Sequence, residues 1–270
     1  MAKTPSKKAT GERIQKKLAA LGFGSRREIE RLIEAGEVKV NNKPATLGQP
    51  LQGNELIQIK GRRVVLSEVK SERKTRVIAY HKPVGVLCTR KDDQGRPTVF
   101  KDLPPIKNSR WVMIGRLDAN TSGLLLFTND GGLANALMHP RNEVVREYVV
   151  RVFGEITETK LQQLESGIEL DDGWAHFDQI IAISPDEEVK NNFFKVSLRE
   201  GRNREVRRLW EAVECQVSRL KRVRYGSYDI PKTLSPGKTV ELTTTEVKKL
   251  TQCLDASAKT SAQTSSRNDG

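Results

Sequence analysis

Two short apolar runs surround a turn with a single acidic residue in the middle of the chain, and they limit the fold more than any other feature. Trp111–Ile114 reads WVMI and Leu124–Thr128 reads LLLFT, with turn-forming residues between them. Short apolar runs bounded by turn residues are typical of buried β-strands. A loop between buried strands is a common place for a reactive group, and this one carries Asp118. Considered alone, Asp118 is also well explained as a turn residue that caps its own backbone.

The residues before this region predict a small module of helices and short strands. Apolar residues recur at helical spacing between residues 14 and 21, and Ser25–Glu28 has the form of a capping box that begins a second helix. Gly36 ends this helix, and short alternating runs predict strands after it. We therefore expect a small N-terminal domain over residues 12–66.

Composition along the chain places the other boundaries. Residues 1–11 are basic and polar without apolar spacing, and residues 251–270 are small and polar, so both ends are predicted to be disordered. Residues 67–76 are charged and almost free of apolar side chains, which is typical of a linker. Strand and helix patterns fill residues 77–250, and we expect them to form one larger domain.

Four arginines crowd the start of a predicted helix in the larger domain. They are Arg202, Arg204, Arg207 and Arg208. Cations at a helix N-terminus oppose the helix dipole, at a cost of roughly 0.3–1 kcal/mol each, and Glu205 offsets only part of this cost. We interpret the cluster as a site for an anionic ligand or for a buried carboxylate. The alternative is a solvated basic face.

Net charge and missing motifs limit the possible partners. The formal net charge of +13 favours a polyanion, either nucleic acid or an anionic membrane. No apolar run approaches the roughly 20 residues that span a bilayer, and the basic N-terminus lacks the apolar core of a secretory signal, so we expect a cytoplasmic protein without a membrane partner. The cysteines and histidines are scattered without metal-ligand spacing, and glycine-rich phosphate-binding motifs are absent. We predict neither a metal nor a cofactor.

The central motif resembles a known active site. Residues 115–131, GRLDANTSGLLLFTNDG, resemble the catalytic motif of the pseudouridine synthases, in the branch that modifies ribosomal RNA. This resemblance implies that Asp118 is the catalytic aspartate. The stretch KPVG at residues 82–85 resembles a second motif of the family, which supports the catalytic loop. Without the resemblance, that stretch would be interpreted as an ordinary strand, turn and strand.

Two later stretches resemble motifs that complete the site of this family. The stretch REY at residues 146–148 implies that Tyr148 stacks on the target base, although a tyrosine within a strand is commonly a core residue. The stretch EGRNREVRRL at residues 200–209 resembles the motif whose basic residue pairs with the catalytic aspartate, which by position is Arg207. The strand after it resembles a segment that places an apolar residue against the base, here Leu220.

The small domain resembles a known RNA-binding module. Residues 24–42, GSRREIERLIEAGEVKVNN, resemble the S4 domain, in which the arginines after the serine grip RNA phosphates. Their charges alone are explained as well by a solvated face on which neighbouring glutamates pair with them. The arginines for which we predict RNA binding are Arg26, Arg27 and Arg31 in the small domain, and Arg116, Arg202, Arg204, Arg208, Arg219 and Arg222 in the larger one.

Together these resemblances imply a fold and a reaction. The implied fold is α+β, with a small S4 domain of two helices and short strands joined to a mixed, mainly antiparallel sheet with flanking helices. The implied function is cofactor-free isomerisation of one uridine to pseudouridine in large-subunit (23S) ribosomal RNA by a monomeric enzyme that flips the base out. The alternatives are a sister enzyme acting on small-subunit RNA or on another 23S site, and a non-catalytic protein that binds ribosomal RNA.

Overall fold

The computed structural model describes residues 11–64, 74–107, 109–183 and 192–265, with side chains described up to residue 254. The chain divides into two compact units. Unit 1 contains the described residues up to Thr75 together with Pro105–Trp111, a segment that the sequence placed in the larger domain. Unit 2 contains Arg76–Pro104 and the chain from Val112 onward. Most of the predicted linker, and nearly all of the predicted disordered N-terminus, lie outside the described residues.

Unit 1 contains two helices joined to short strands. The first helix, α1 (Ile14–Ala20), is followed by α2 (Arg26–Glu34), which starts at the predicted capping box. The Ser25 hydroxyl accepts a hydrogen bond from the Glu28 amide at 3.1 Å, and the Glu28 carboxylate accepts one from the Ser25 amide. Both helices bury their apolar faces in one core with the strands. The strands are β1 (Glu12–Arg13), β2 (Val38–Val40), β3 (Lys43–Pro44), β4 (Pro50–Leu51), β5 (Ile57–Ile59) and β6 (Arg62–Val64).

Unit 2 is built on a mixed, mainly antiparallel sheet, as the sequence predicted. Within the described residues its main strand order is β13-β14-β10-β15-β9-β7-β17, and helices pack on it. The strands are β7 (Val77–Lys82), β8 (Val112–Ile114), β9 (Ser122–Thr128), β10 (Arg146–Phe153), β11 (Ile168–Leu170), β12 (Gly173–Ala175), β13 (Gln179–Ala182), β14 (Asn192–Leu198), β15 (Gln216–Tyr225), β16 (Tyr228–Asp229) and β17 (Thr239–Glu241). The helices are α3 (Gly131–Met138), α4 (Glu158–Ser166), α5 (Glu205–Ala212) and α6 (Thr244–Ser265), and 3-10 turns occupy Val99–Asp102 and Pro140–Asn142.

Strands β9 and β15 form a parallel pair within this otherwise antiparallel sheet. Ser122 lies opposite Lys221, and Gly123 lies opposite Arg222. Gly123 has a φ of +104°, and a Cβ atom built there would collide with the carbonyl oxygen of Arg222. Only glycine allows both this backbone conformation and this close approach. The pairing brings the middle of β15 beside the loop that carries Asp118.

The second central apolar run, in β9, is buried on both faces, which explains its continuous apolar pattern. Leu124 and Leu126 of β9 belong to a core that includes residues of α3 and α6. Phe127, on the opposite face, packs edge-on against Tyr80 and Phe100. β9 therefore forms the centre of unit 2, and the loop before it is anchored to a fully buried strand.

The C-terminal region differs from the prediction. Disorder was expected from residue 251, but α6 continues to Ser265. The helix packs on the core through Leu250, with Val247 and Leu254 beside it at helical spacing. The prediction of disorder rested on the polar composition of the last residues. It did not take account of the apolar side chains at helical spacing that begin before residue 250.

Candidate active site

The loop between β8 and β9 holds Asp118 at the surface of unit 2. The Thr121 amide donates to the Asp118 carbonyl at 3.1 Å, which closes a tight turn, and the Gly85 amide donates to the Ala119 carbonyl at 2.7 Å. Within the described residues, no hydrogen bond within 3.5 Å reaches the Asp118 carboxylate. The geometry therefore does not support a role for Asp118 as a cap of its own turn. Its half-buried carboxylate remains available to a ligand.

Lys82 supports this loop through its side chain. The sequence predicted no role for it in the site. Its side chain is fully buried, and its ammonium group donates to the carbonyls of Thr121 at 2.8 Å, Pro83 at 3.0 Å and Ala119 at 3.3 Å. Burial lowers the pKa of Lys82, and the negative charge of Asp118 acts in the opposite direction. Lys82 is the first residue of the KPVG motif, so the family resemblance was the signal that could have identified it.

Asp118, Tyr148 and Leu220 line one cleft of about 790 Å³ in unit 2. Tyr148 lies on β10 opposite Arg222 of β15, and Leu220 lies opposite Val150. Because side chains alternate along a strand, Tyr148, Leu220 and Arg222 project from the same face of the sheet. The structure thus brings together three of the four residues predicted to form the centre of the site.

The fourth, Arg207, is placed differently from the expectation. It is buried on α5, and its guanidinium donates to the carbonyls of Val217 at 2.7 Å and Asn120 at 3.1 Å. Among the described ion pairs within 4.0 Å, none joins Arg207 to Asp118. Burial lowers the pKa of Arg207, and the charge of Asp118 partly opposes that effect. Arg207 therefore holds the loop through the Asn120 carbonyl and acts on the Asp118 carboxylate from a longer distance.

Arg146 ties the start of β10 to the turn before α5. One nitrogen of its buried guanidinium donates to the carbonyls of Arg199 and Glu200, and the other donates to the Tyr225 hydroxyl at 3.3 Å. The guanidinium also lies over the Tyr225 ring, 5.2 Å from its centroid. This contact fixes the turn relative to Tyr148, two residues further along β10. The REY motif begins with Arg146, for which the sequence predicted no role.

Two of the arginines predicted to bind RNA are instead occupied within the protein. Both terminal nitrogens of Arg208 donate to the Asp172 carboxylate at 2.8 Å. Arg202 donates to the carbonyls of Asp172, Gly173 and Trp174 and forms ion pairs with Glu200 and Asp172. For Arg202 and Arg208, groups of the protein itself, rather than a bound anion, offset the unfavourable position near a helix N-terminus.

The buried carboxylate of Glu205 contributes to the same network. It accepts a hydrogen bond from the Arg202 amide at 3.0 Å and lies within ion-pair distance of the Arg202 side chain. Burial raises the pKa of Glu205. A protein carboxylate at this turn was one of the explanations that the sequence allowed.

A third predicted RNA-binding arginine, Arg222, is 2% exposed and therefore cannot belong to a basic surface. The remaining predicted arginines are exposed. Within the described residues, no ion pair within 4.0 Å joins the α2 arginines to the glutamates beside them, so pairing does not account for their charges. The exposed set is Arg26, Arg27 and Arg31 on α2, and Arg116, Arg204 and Arg219 in unit 2.

The part of the chain that the structure describes forms neither a metal site nor a membrane-spanning helix. No group of three or more His, Cys, Asp or Glu residues there could hold a metal ion. Cys88 and Cys215 form no disulfide within the described residues. No helix within the described ranges is both long and apolar enough to cross a membrane.

Known proteins resemble this chain over nearly all of its length. Residues 76–212 match the family model of RNA pseudouridylate synthases, and residues 12–57 match that of the S4 domain. The chain is 54% identical to the ribosomal large subunit pseudouridine synthase B of Yersinia pestis over 233 residues, which cover 86% of this chain and 73% of the relative. It is 50% identical to the protein of the same name from Escherichia coli K12 over 260 residues, 96% of this chain and 88% of the relative.

The fold agrees with these sequence matches. A crystal structure of a pseudouridylate synthase superposes with a TM-score of 0.61 at 22% identity and covers 89% of this chain and 100% of that one. The family match covers every residue that lines the cleft except Leu220, Arg222 and Tyr225 of β15. The chain therefore belongs to the RNA pseudouridylate synthase family, carries an N-terminal S4 domain, and is an enzyme that isomerises uridine to pseudouridine in RNA.

Proposed function

We propose that this enzyme converts one uridine of large-subunit (23S) ribosomal RNA to pseudouridine. The placement of Asp118 carries the proposal, because its carboxylate lacks a hydrogen-bonding partner among the described residues and lines the cleft with Tyr148 and Leu220. The choice of RNA is supported by relatives named for the large ribosomal subunit, at 50–54% identity over most of both chains.

The reaction rearranges bonds within one nucleotide. The N1–C1′ bond breaks and its electron pair stays with the base, while the ionised Asp118 carboxylate opposes the positive charge that develops at C1′. The base then turns, a C5–C1′ bond forms, C5 loses its proton and N1 gains one. No atom or electron is gained or lost overall, so the reaction itself requires no cofactor.

The other cleft residues suit the handling of a flipped base. Tyr148 offers a ring on which uracil stacks and a phenol near the C5 proton, and Leu220 adds an apolar contact on the same face of the sheet. Arg207 holds the carbonyl of Asn120, two residues after the catalytic aspartate, and contributes positive charge to the surroundings of the loop. These roles require no other chain, and we propose that the enzyme acts as a monomer.

Exposed arginines would hold the RNA while the base is out of its stack. Extracting a base costs a few kcal/mol, and contacts to phosphates offset this cost. We assign this role to the exposed arginines of both units. Because ribosomal RNA is the substrate and the named relatives are bacterial, we place the reaction in the cytoplasm.

The test is pseudouridine mapping of both ribosomal RNAs by carbodiimide labelling and primer extension. Cells lacking the protein are compared with cells that express the wild type, Asp118→Asn or Asp229→Asn, a matched change at an exposed acid on β16. We expect one stop in 23S RNA to disappear on deletion and to return with the wild type and Asp229→Asn only. A stop in small-subunit RNA would overturn the choice of substrate. Restoration by Asp118→Asn would overturn the role of Asp118.

A further inference from the structure

Arg222 is a buried cation whose hydrogen-bonding capacity is not used by the described protein. Its Nε donates to the Leu124 carbonyl at 2.8 Å, and its guanidinium lies 5.1 Å from the centre of the Tyr225 ring. Its Nη2 has no hydrogen-bond partner, and no carboxylate in the described ranges lies within 4.0 Å of it. A guanidinium keeps its charge in a protein, and a buried charge without a partner is strongly destabilising.

The other buried cations of the site donate more hydrogen bonds than Arg222 does, although the Nε of Arg207 also lacks a partner. Lys82 donates to three carbonyls, and Arg146 donates to two carbonyls and a hydroxyl. Each of them holds a turn in place. Arg222 makes a single hydrogen bond, to a carbonyl of β9, although its side chain lines the cleft. A purely structural role for Arg222 therefore does not explain why the N–H donors of its Nη2 lack acceptors.

The backbone places Arg222 among the residues that receive the base. It lies opposite Tyr148 on the neighbouring strand, two positions after Leu220 and on the same face of the sheet. Gly123 allows β9 and β15 to approach at this point, which brings Arg222 beside the loop that carries Asp118. The residues expected to contact the uracil ring thus surround the unused donors.

We propose that the Arg222 guanidinium donates a hydrogen bond to a carbonyl oxygen, O2 or O4, of the flipped uracil. The inference rests on the proposed function and adds a contact to the substrate. When the N1–C1′ bond breaks, the electron pair on N1 is delocalised onto O2 and O4, and a guanidinium donor there stabilises the negative charge. Arg222 transfers no proton and forms no covalent bond.

The first test measures single-turnover product formation on a fragment of ribosomal RNA that the wild type modifies. Arg222→Met should lower the rate by about 10²–10³-fold, the usual loss for one donor to a developing oxyanion. Arg222→Lys, which keeps the charge, should recover part of this loss. The RNA dissociation constant should stay within about twofold, because Arg222 is buried and contacts one base. Arg224→Met, on the same strand but paired with Glu147, should stay within about threefold of the wild-type rate.

The second test separates contact with the base from support of the fold. The target uridine is replaced by 2-thiouridine or 4-thiouridine, because sulfur accepts hydrogen bonds weakly, and the C-nucleoside product is quantified by chromatography. One of the two analogues should slow the wild type by about tenfold or more, and the same analogue should slow Arg222→Lys or Arg222→Met by clearly less. A substitution that affected only folding would not change how strongly the rate depends on a single atom of the base.

The outcomes distinguish this inference from the proposed function. A wild type that modifies neither ribosomal RNA contradicts the proposed function and leaves no substrate for Arg222 to contact. A wild type that is active, with Arg222→Met within about threefold of its rate, contradicts only the role of Arg222. If thermal unfolding shows that Arg222→Met does not fold, Arg222→Lys decides the question through its response to the two thiouridines. An equal response in the wild type and Arg222→Lys contradicts the inference.

Discussion

Buried cations that donate to main-chain carbonyls organise the active site at the scale of single residues. Lys82 donates to the Asp118 loop at Ala119 and Thr121, and Arg207 donates to the same loop at Asn120. Charge-assisted bonds of this kind are stronger than neutral ones, most of all where water is excluded. They hold the backbone that follows Asp118, while its carboxylate accepts no hydrogen bond from the described residues.

Replacing Lys82 by Met should both destabilise the enzyme and slow it. The change removes the buried donor of the Thr121 carbonyl, and an unsatisfied buried polar group costs about 1–3 kcal/mol. Urea unfolding should therefore show a loss of this size, and the single-turnover rate should fall more than about tenfold because the loop loses its support. Lys248→Met, on the exposed side of α6, provides the control. Unchanged stability and rate in Lys82→Met would contradict the supporting role.

Gly123→Ala tests the close approach of the two parallel strands. The alanine would need a positive φ and would collide with the carbonyl of Arg222, so β9 and β15 would have to move apart. We expect a loss of about 1–3 kcal/mol in the free energy of unfolding, the usual range for overpacking, together with reduced activity. Gly36→Ala in unit 1, where φ is also positive but the space is open, separates the cost of backbone conformation from that of the collision. Equal losses in both variants would show that the collision has no effect.

At the scale of secondary-structure elements, β7 links the KPVG motif to the rest of the sheet through His81. The imidazole is buried, and its Nδ1 lies 2.6 Å from the Leu234 carbonyl, to which it donates. The main chain of His81 bonds to Gly237 and Lys238 before β17. Burial lowers the pKa of His81 below its ordinary value of 6.5, and the charge of Lys221 adds to this effect.

This lowered pKa predicts a dependence of stability on pH. Below about pH 6.5 the unfolded chain binds a proton at His81 that the folded chain does not, so stability is lost as pH falls through 6.5 towards the folded pKa. Urea unfolding between pH 7 and pH 5 should show a smaller decline in His81→Gln than in the wild type. The raised pKa of Glu205 acts in the opposite direction, but comparison at each pH cancels it. The exposed His176, changed to Gln, is the control, and parallel declines in the wild type and His81→Gln would refute the prediction.

At the scale of the whole molecule, the net charge of +13 acts through exposed arginines in both units. Arginines that neutralise RNA phosphates release counterions, and the logarithm of affinity then falls with the logarithm of salt concentration by roughly 0.7–0.9 per contact. The buried cations of the cleft do not contribute to this slope in the same way, because their charges are enclosed by the protein.

Changing Arg26, Arg27 and Arg31 to Gln together should therefore weaken RNA binding and flatten its salt dependence. We expect the slope of the logarithm of affinity against the logarithm of salt concentration to fall in magnitude by up to about 2–3. The single-turnover rate at saturating enzyme should change little, because these residues lie in unit 1 and not in the cleft. A variant with Lys43, Arg62 and Arg63 changed to Gln removes the same charge from exposed positions of the same unit. Equal slopes in the two triple variants would show that α2 provides no specific grip.

The sequence by itself determined those features of the fold that depend on residues close together in the chain. The capping box places the start of α2, the apolar run LLLFT predicts a buried strand, and the turn residues around Asp118 predict the loop before that strand. Local propensity and side-chain periodicity act within a few residues, so they can be read along the chain. The same reasoning failed for α6, because its few packing contacts are hidden in a polar composition.

Only the tertiary structure decided which partner each charged side chain meets. Lys82 reaches a carbonyl 39 residues away, Arg146 one 53 residues away and Arg207 one 87 residues away. Such partners depend on strand order and register, which spacing along the chain does not reveal. For that reason the arginines of one motif, similar in sequence, separate into a support of the Asp118 loop at Arg207, an ion pair at Arg208 and an exposed cation at Arg204.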